Sequence, residues 1–213
     1  GGPFYKLPIS KFKNINKSQA LKHPNWKMGK KISVDSATMM NKVFEIIEAK
    51  NIFNIPYNKL EILTHPKSYV HAILKFNNGL IKIIAHDTTM DIPIFNTLYS
   101  NFDGLIKSKY LNIEKLNNLD LHKIDTKRYP LVNILKSLPN KSSLFETVIV
   151  SANDELVNLF LENKIKFNDI SIKLNRFLKL KEFNRFKLIQ PKKIIDIVKL
   201  NKYVRFKINT MRI

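Results

Sequence analysis

The chain has 213 residues, of which 44% are hydrophobic, so it can form the core of one large domain or two small ones. Its 37 Lys and Arg against 17 Asp and Glu give a formal net charge of +20, and the lack of cysteine excludes disulfides and thiolate metal sites. No apolar run reaches the roughly 20 residues of a membrane span and no signal-peptide pattern is present, so we expect a cytoplasmic protein without a membrane partner.

The first fifty residues predict a loop followed by a helix. Residues 1–22 predict a loop followed by a weakly patterned segment, of which 6–21, rich in Lys and Asn, is expected to be solvated and to move. The start at Gly1 without an initiator methionine suggests a piece of a longer protein. A short alternating run at 31–34 leads to a polar turn at Asp35 and Ser36, where a helix begins that runs to about residue 51. At about 100° per residue, this helix has a polar stripe opposite an apolar face. The stripe consists of Thr38, Asn41, Glu45 and Glu48.

The middle of the chain predicts a β-hairpin. Residues 68–76 alternate between two faces, the sequence Asn-Asn-Gly at 77–79 is a strong turn signal, and 80–85 predict the second strand. Another short strand is predicted at 60–64.

After the hairpin, Asp91 as N-cap and Pro93 in the first turn predict a short helix that ends near Tyr99. Beyond a polar stretch, helical spacing continues to the end of the chain. The fold class we expect is α/β (α+β): a catalytic domain at 1–100 with a mixed sheet and a β-hairpin, a linker at 101–127, and a C-terminal helical bundle at 128–213. The helices predicted in the bundle are 130–138, 142–150, 153–163, 169–181 and 192–208.

Ser36, Asn41 and Lys42 place a hydroxyl, an amide and a cation within two turns at the predicted start of the helix. Unpaired N–H groups and a partial positive charge at a helix N-terminus favour phosphate or carboxylate. The alternative is a capped helix with solvated polar residues. Glu45 lies three residues after Lys42, so a hard divalent cation on Glu45 would sit near an anion on Lys42. For Glu48, a surface salt bridge is as good an explanation as a supporting role.

Three histidines, His23, His65 and His71, could each bind phosphate, move a proton or satisfy a buried hydrogen bond. Trp26 and Met28 lie in a loop that could close over a ligand or pack on the core. The basic residues are spread over the whole chain without an aromatic-basic recognition motif. This favours a diffuse positive surface over a nucleic-acid site.

Several motifs taken together resemble the 1-deoxy-D-xylulose 5-phosphate reductoisomerase family. The match is nearly uninterrupted over the central block and less specific in the C-terminal part, which includes SANDELVNLFLENKIKFNDI. The matching residues are GGPF at 1–4, HPNWKMGKKISVDSATMMNK at 23–42, Glu45, IEA at 47–49, HPKSYVH at 65–71 and Met90.

The resemblance implies isomerisation of 1-deoxy-D-xylulose 5-phosphate and its reduction with NADPH to 2-C-methyl-D-erythritol 4-phosphate, in the non-mevalonate isoprenoid pathway. It implies a homodimer, and a plastid-type stroma as the alternative compartment. The implied site residues are as follows: Ser36, Asn41, Lys42 and His23 on the substrate phosphate; Glu45 on Mg²⁺ or Mn²⁺ and on the substrate; Trp26 and Met28 in the lid; His71 and Met90 lining the pocket; Met28 and Gly29 near NADPH; and Glu45, His23, Trp26 and Met28 as the catalytic set.

The resemblance covers only the later part of the family's chain. The NADPH-binding domain, the acidic-Ser-acidic motif with two further metal carboxylates, and the serine before GGPF are not in this sequence. We therefore expect the isolated chain to be inactive. The family's proline before Met90 is replaced in the vicinity of Thr88 and Thr89, which puts packing on the substrate chain there in doubt. A basic nucleic-acid-binding module and a non-catalytic relic of the enzyme remain as alternatives.

Overall fold

The computed structural model describes residues 2–23, 28–99 and 104–211, which form two compact units. The hairpin unit comprises 63–99 and 104–123; the helical unit comprises 2–23, 28–62 and 124–211. These limits differ from the predicted domain boundaries near 100 and 128, because the chain leaves the helical unit at Ile62 and returns to it at Ile124.

The described residues contain α-helices, short strands and 3₁₀ helices. The α-helices are α1 (Lys17–Ala20), α2 (Lys30–Thr38), α3 (Met40–Phe53), α4 (Asp91–Leu98), α5 (Ile113–Asn117), α6 (Phe145–Leu161), α7 (Phe167–Lys179), α8 (Lys181–Asn184) and α9 (Ile194–Thr210). The strands are β1 (Leu63–Thr64), β2 (Val70–Lys75), β3 (Ile81–Ala85) and β4 (His122–Lys123). Four 3₁₀ helices span Ile9–Asn14, Tyr57–Lys59, Pro130–Ser137 and Arg185–Leu188.

The N-terminal segment contributes buried apolar side chains to the core, whereas most of its Lys and Asn residues are exposed, as predicted. Phe4 and Phe12 are buried and pack against Phe167, with ring centroids 5.4 and 6.2 Å from it. The Arg128 guanidinium donates hydrogen bonds to the carbonyls of Phe4 (2.9 Å) and Leu7 (2.5 Å). These contacts join residues more than 100 positions apart, which no local pattern can reveal.

The stretch predicted as an alternating run and a polar turn is helical. Lys31 and Asp35 are four residues apart on α2 and form an ion pair at 2.7 Å, the spacing that brings side chains together on a helix. The helix predicted to start near Ser36 is instead α3, which begins at Met40. Met39, with φ 63°, separates the two helices.

In the hairpin unit, β2 and β3 pair antiparallel and Gly79 has φ 87° in the connecting turn, which confirms the hairpin and its turn. The segment predicted as a linker contains α5 and β4, and β4 pairs antiparallel with β1. The predicted helix after residue 90 is confirmed as α4. Its N-cap is Met90 rather than Asp91, and the Asp91 N–H bonds to the Thr89 hydroxyl at 3.3 Å.

In the C-terminal region, α6 packs against both α7 and α9. The two helices predicted at 142–150 and 153–163 are one continuous helix, α6. Ser151, which lies between the two predicted segments, is inside this helix. Its buried hydroxyl accepts a hydrogen bond from Asn201 Nδ2 on α9 at 2.7 Å. On α9, buried Leu200, Val204 and Ile208 recur every four residues and face the core.

The expected combination of a mixed α and β part with a C-terminal helical bundle is confirmed. Both strand pairs among the described residues are antiparallel, so the sheet component is not the mixed sheet that we predicted. A parallel pair would need a crossover connection of a dozen or more residues, whereas β2 and β3 are joined by a short turn. Within the described part of the chain, none of the helices combines the length and apolar character needed to cross a bilayer.

Candidate functional site

The corner between α2 and α3 brings together most of the predicted site residues of the helical unit. Met39 occupies the left-handed region with φ 63° and ψ 15°, although it is not glycine and its side chain is buried. Such a conformation costs about 1–3 kcal/mol and persists where the surroundings enforce it. The corner places Ser36 in the last turn of α2 and Asn41 and Lys42 in the first turn of α3.

Gly2 lies against the last turn of α2 at this corner. Its φ is +64°, and a Cβ atom at this position would lie 2.5 Å from the Ser36 carbonyl oxygen and 3.1 Å from Ala37 Cα. Because a methyl group cannot approach a carbonyl oxygen so closely, only glycine allows the N-terminal segment to lie against α2. The GGPF sequence therefore has a steric function beside the α2–α3 corner.

Lys42 and Glu45 form a two-pronged ion pair on the exposed side of α3. Lys42 Nζ donates to Glu45 Oε1 at 2.9 Å and to Oε2 at 2.7 Å. Nearby, Ser36 is buried, and Asn41 Oδ1 is buried without a hydrogen-bond partner among the described residues. A buried amide oxygen without a donor is uncommon and is a candidate position for a ligand.

The partial positive charge that we predicted at Ser36 lies at the start of α3 instead. The first N–H groups of a helix attract anions, and Asn41 and Lys42 stand in that first turn. The Met40 N–H is bound to the Thr38 hydroxyl at 3.4 Å. An anion at this corner would meet the Lys42 ammonium as well as the helix N-terminus.

His23 is half-buried in the same unit. Burial lowers the pKa of its imidazole, and the positive charge of Lys42 lowers the pKa further. The ring is therefore neutral at neutral pH and can accept or donate a single hydrogen bond.

A buried polar network below the corner was not predicted from the sequence. Asp35 is entirely buried, and its Oδ1 accepts a hydrogen bond from Asn153 Nδ2 on α6 at 2.8 Å. Lys31 also reaches Asp154 at 2.9 Å, and Arg205 on α9 reaches Asp154 at 2.9 Å. Burial raises the pKa of Asp35, an effect that Lys31 and Asn153 partly offset. The network joins α2, which carries Ser36, to α6 and α9.

The remaining predicted pocket residues lie in the hairpin unit. The exposed His71 ring stacks on His86, with centroids 3.6 Å apart and planes 8° from parallel. Met90 is 56% exposed at the start of α4. His65 Nε2 accepts a hydrogen bond from the Val70 N–H at 3.0 Å, which supports its structural explanation.

Of the predicted flap, Trp26 lies outside the described residues. Met28 is half-buried, and Gly29 is the N-cap of α2 with an ordinary φ of −62°. A Cβ atom at Gly29 would meet no atom of the described residues within 4 Å. Its glycine character is not required by the backbone conformation.

The residues described here do not form a complete metal site. No group of three or more His, Asp or Glu among 2–23, 28–99 and 104–211 is arranged to hold a metal ion. Glu45 offers one carboxylate, and Lys42 neutralises it. The donor chemistry suits a hard cation such as Mg²⁺ or Mn²⁺, but further ligands are needed.

Two family models match the chain. The model described as "1-deoxy-D-xylulose 5-phosphate reductoisomerase C-terminal domain" matches residues 1–53, and that described as "DXP reductoisomerase C-terminal domain" matches residues 87–207. The first model covers the α2–α3 corner, and the second covers α4 to most of α9.

Relatives with the name 1-deoxy-D-xylulose 5-phosphate reductoisomerase are similar over nearly the whole chain. The protein of Pelagibacter ubique is 62% identical over 213 residues, which is all of this chain and 55% of that protein. The protein of Persephonella marina is 41% identical over 198 residues, or 93% of this chain and 52% of that protein. The chain thus spans about half the length of these relatives.

Solved structures of the same name have the same fold. The enzyme from Zymomonas mobilis in complex with NADPH has a TM-score of 0.82 at 30% identity, covering 98% of this chain and 52% of that chain. A complex with NADPH, fosmidomycin and magnesium has a TM-score of 0.87 at 28% identity, with the same coverage.

Proposed function

We propose that this chain supplies the substrate-phosphate side of an active site. The chain belongs to the 1-deoxy-D-xylulose 5-phosphate reductoisomerase family, and the active site is that of this enzyme. The complete protein would isomerise 1-deoxy-D-xylulose 5-phosphate and reduce it with NADPH to 2-C-methyl-D-erythritol 4-phosphate. The observation that carries this proposal is the α2–α3 corner, where Ser36 lies in the last turn of α2 and Asn41 and Lys42 lie in the first turn of α3.

The Lys42–Glu45 pair is suited to an exchange of partners. Lys42 would turn from Glu45 to the substrate phosphate, whose charge the N-terminus of α3 also attracts. Glu45 would then be free to serve as one carboxylate ligand of Mg²⁺ or Mn²⁺. Both side chains are partly exposed, so the pair stabilises the fold little and its separation costs little.

The other predicted residues complete the proposed site. Ser36 and His23 would bind the phosphate together with Asn41, which would donate from its Nδ2 amide. The buried Asn41 Oδ1, which has no partner among the described residues, would accept from a donor such as a substrate hydroxyl. A neutral His23 can donate one hydrogen bond to phosphate. Trp26 and Met28 would exclude water from the bound substrate.

NADPH would supply the hydride, and Met28 and Gly29 stay proposed as the residues of this chain near the cofactor. His71 and Met90 stay proposed as residues that line the substrate pocket. A divalent cation would polarise the substrate carbonyl when bound.

The test uses a protein of the relatives' length that contains this chain. We expect Glu45→Gln to lower the rate of NADPH oxidation with substrate and Mg²⁺ by about a hundredfold or more, because a metal ligand is lost. Glu48→Gln is the matched control: Glu48 is exposed on α3 one turn further on, and its substitution should change the rate by less than about twofold. Full activity of Glu45→Gln would remove Glu45 from the metal site, and an inactive wild-type protein would identify a non-catalytic relic.

We propose in addition that the protein is a homodimer. Consecutive residues of the hairpin, such as Ile83 and Ile84, point to opposite faces, and both are about half exposed. A two-stranded hairpin is marginally stable in water without a covered face, which favours a second copy of the chain as its cover. Sedimentation equilibrium measures the molar mass of the protein in solution. A monomeric mass at micromolar concentration would contradict the proposal.

We propose a reducing compartment for the protein, either the cytoplasm or a plastid stroma. The cysteine-free composition is compatible with either. The relative from Plasmodium falciparum, 37% identical over 180 residues, has the name of an apicoplastic enzyme. Fractionation of the source cells tests the proposal, and recovery from an oxidising compartment would contradict it.

A further inference from the structure

A polar pocket of about 440 Å³ lies at the carboxyl end of α3, within the helical unit. It is separate from the α2–α3 corner: Lys50 comes eight residues after Lys42, which is about 12 Å along the helix axis. No acidic residue lines the pocket. Its polar lining consists of Lys50, Asn54, Asn140, Lys141, Ser142 and Gln190.

Lys50 is unusual because it is buried, with 6% of its surface exposed, and has no acidic partner. Its ammonium donates to Asn51 Oδ1 at 3.1 Å and to Ser142 Oγ at 3.3 Å, both of which are neutral groups. No carboxylate of the described residues lies within 4.0 Å of Lys50 Nζ. An ammonium has three donors, so one N–H remains without a hydrogen-bond partner among the described residues; the Tyr57 ring, with its centroid 6.0 Å from Nζ, is the nearby aromatic contact.

A buried charge without a counter-ion is unfavourable. The carbonyl end of α3 carries a partial negative charge of about half an elementary charge, which offsets part of the charge of Lys50. The exposed Lys141 adds a second full positive charge to the same pocket. The pocket therefore keeps a net positive charge, together with the amide donors of Asn54 and Gln190.

We propose that this pocket binds a small phosphate-class oxyanion, with Lys50 and Lys141 as its charged ligands. Ammonium groups form strong hydrogen bonds to phosphate oxygens, and the side-chain amides of Asn54 and Gln190 offer neutral donors beside them. The shared chemistry covers free phosphate and the phosphoryl group of an organic monoester. The site does not depend on the enzymatic function proposed above.

The test is a titration of the ¹⁵N-labelled chain with inorganic phosphate, at a constant ionic strength held with chloride. We expect saturable shifts of the amide signals of residues 50–54 and 140–142. Lys50→Met keeps the length of the apolar stem and should weaken binding at least about tenfold, because a charge-assisted hydrogen bond is lost. Lys141→Gln, at an exposed position with little effect on folding, should weaken it about threefold or more.

Two variants serve as controls. Lys136→Gln removes an equally exposed charge that does not line the pocket, and should leave the binding unchanged. Lys42→Gln should abolish any shifts at residues 36–45 and leave those of the pocket in place. A parallel titration with glycerol 3-phosphate identifies the source: tighter binding than inorganic phosphate indicates an organic monoester, and equal or weaker binding indicates the free ion.

Equal affinities of wild type, Lys50→Met and Lys141→Gln would overturn the proposal. So would shifts that do not saturate, or that chloride alone reproduces, since these report only screening of a basic surface. Because Lys141 is exposed, its variant decides the question even if Lys50→Met does not fold.

Discussion

The hydrogen bond between Asn153 and Asp35 can be tested by exchanging the two side chains. Both are entirely buried, and Asn153 Nδ2 lies 2.8 Å from Asp35 Oδ1. Asn153→Asp replaces the donor by a second carboxyl group, and two carboxyl groups so close together cannot both be ionised. By analogy with a broken buried ion pair, we expect a loss of about 3–5 kcal/mol in the free energy of unfolding.

Asp35→Asn should cost less, about 1–2 kcal/mol, because the amide oxygen still accepts from Asn153. Lys31 loses the partner at 2.7 Å but keeps Asp154 at 2.9 Å, and it is itself 41% exposed in its side chain. The double variant restores an amide opposite a carboxylate with the roles reversed. It should therefore be more stable than the sum of the single effects indicates, by about 2 kcal/mol or more.

The assay is urea unfolding of the four proteins, followed by far-ultraviolet circular dichroism and analysed as a double-mutant cycle. The slopes with denaturant must agree among the variants for the comparison to hold. Additivity of the two single effects within about 0.5 kcal/mol would show that the bond between α2 and α6 does not stabilise the fold, and would refute the reasoning.

Two further predictions concern the α2–α3 corner. The His23 pKa, followed by NMR, should lie below its ordinary value and rise in Lys42→Met, because the positive charge of Lys42, one cause of the depression, is removed while burial, the largest cause, remains. Because the folded-state pKa of His23 is lowered, the stability that neutral His23 contributes is present above its unfolded-state pKa and is lost as the pH falls through its folded-state pKa. An unchanged His23 pKa in Lys42→Met would contradict the explanation. Gly2→Ala should lose about 2–4 kcal/mol in urea unfolding, from positive-φ strain and the contact at 2.5 Å with the Ser36 carbonyl oxygen. Gly29→Ala, with ordinary φ and no neighbour among the described residues within 4 Å, should stay within about 1 kcal/mol; similar losses for both variants would rule out the steric explanation.

The local signals in the sequence were sufficient for the hairpin and for most C-terminal helices. The Asn-Asn-Gly turn at 77–79 needs a residue that tolerates positive φ, and Gly79 provides it at φ 87°. The motifs at 1–4 and 23–42 were sufficient to identify the family, because a long uninterrupted match of residue identities can be recognised without knowledge of the fold. The roles of Ser36, Asn41, Lys42 and Glu45 also came from those motifs, and they stay proposals.

Only the tertiary structure showed how the corner is built. The break between α2 and α3 falls at Met39, a residue with no intrinsic preference for positive φ, so the surrounding packing imposes it. Phe4 and Phe12 are buried because Phe167 lies against them, and Asp35 is held by Asn153, 118 positions away. Periodicity and capping signals report on neighbours within a few turns, whereas contacts between distant segments depend on the folded chain as a whole.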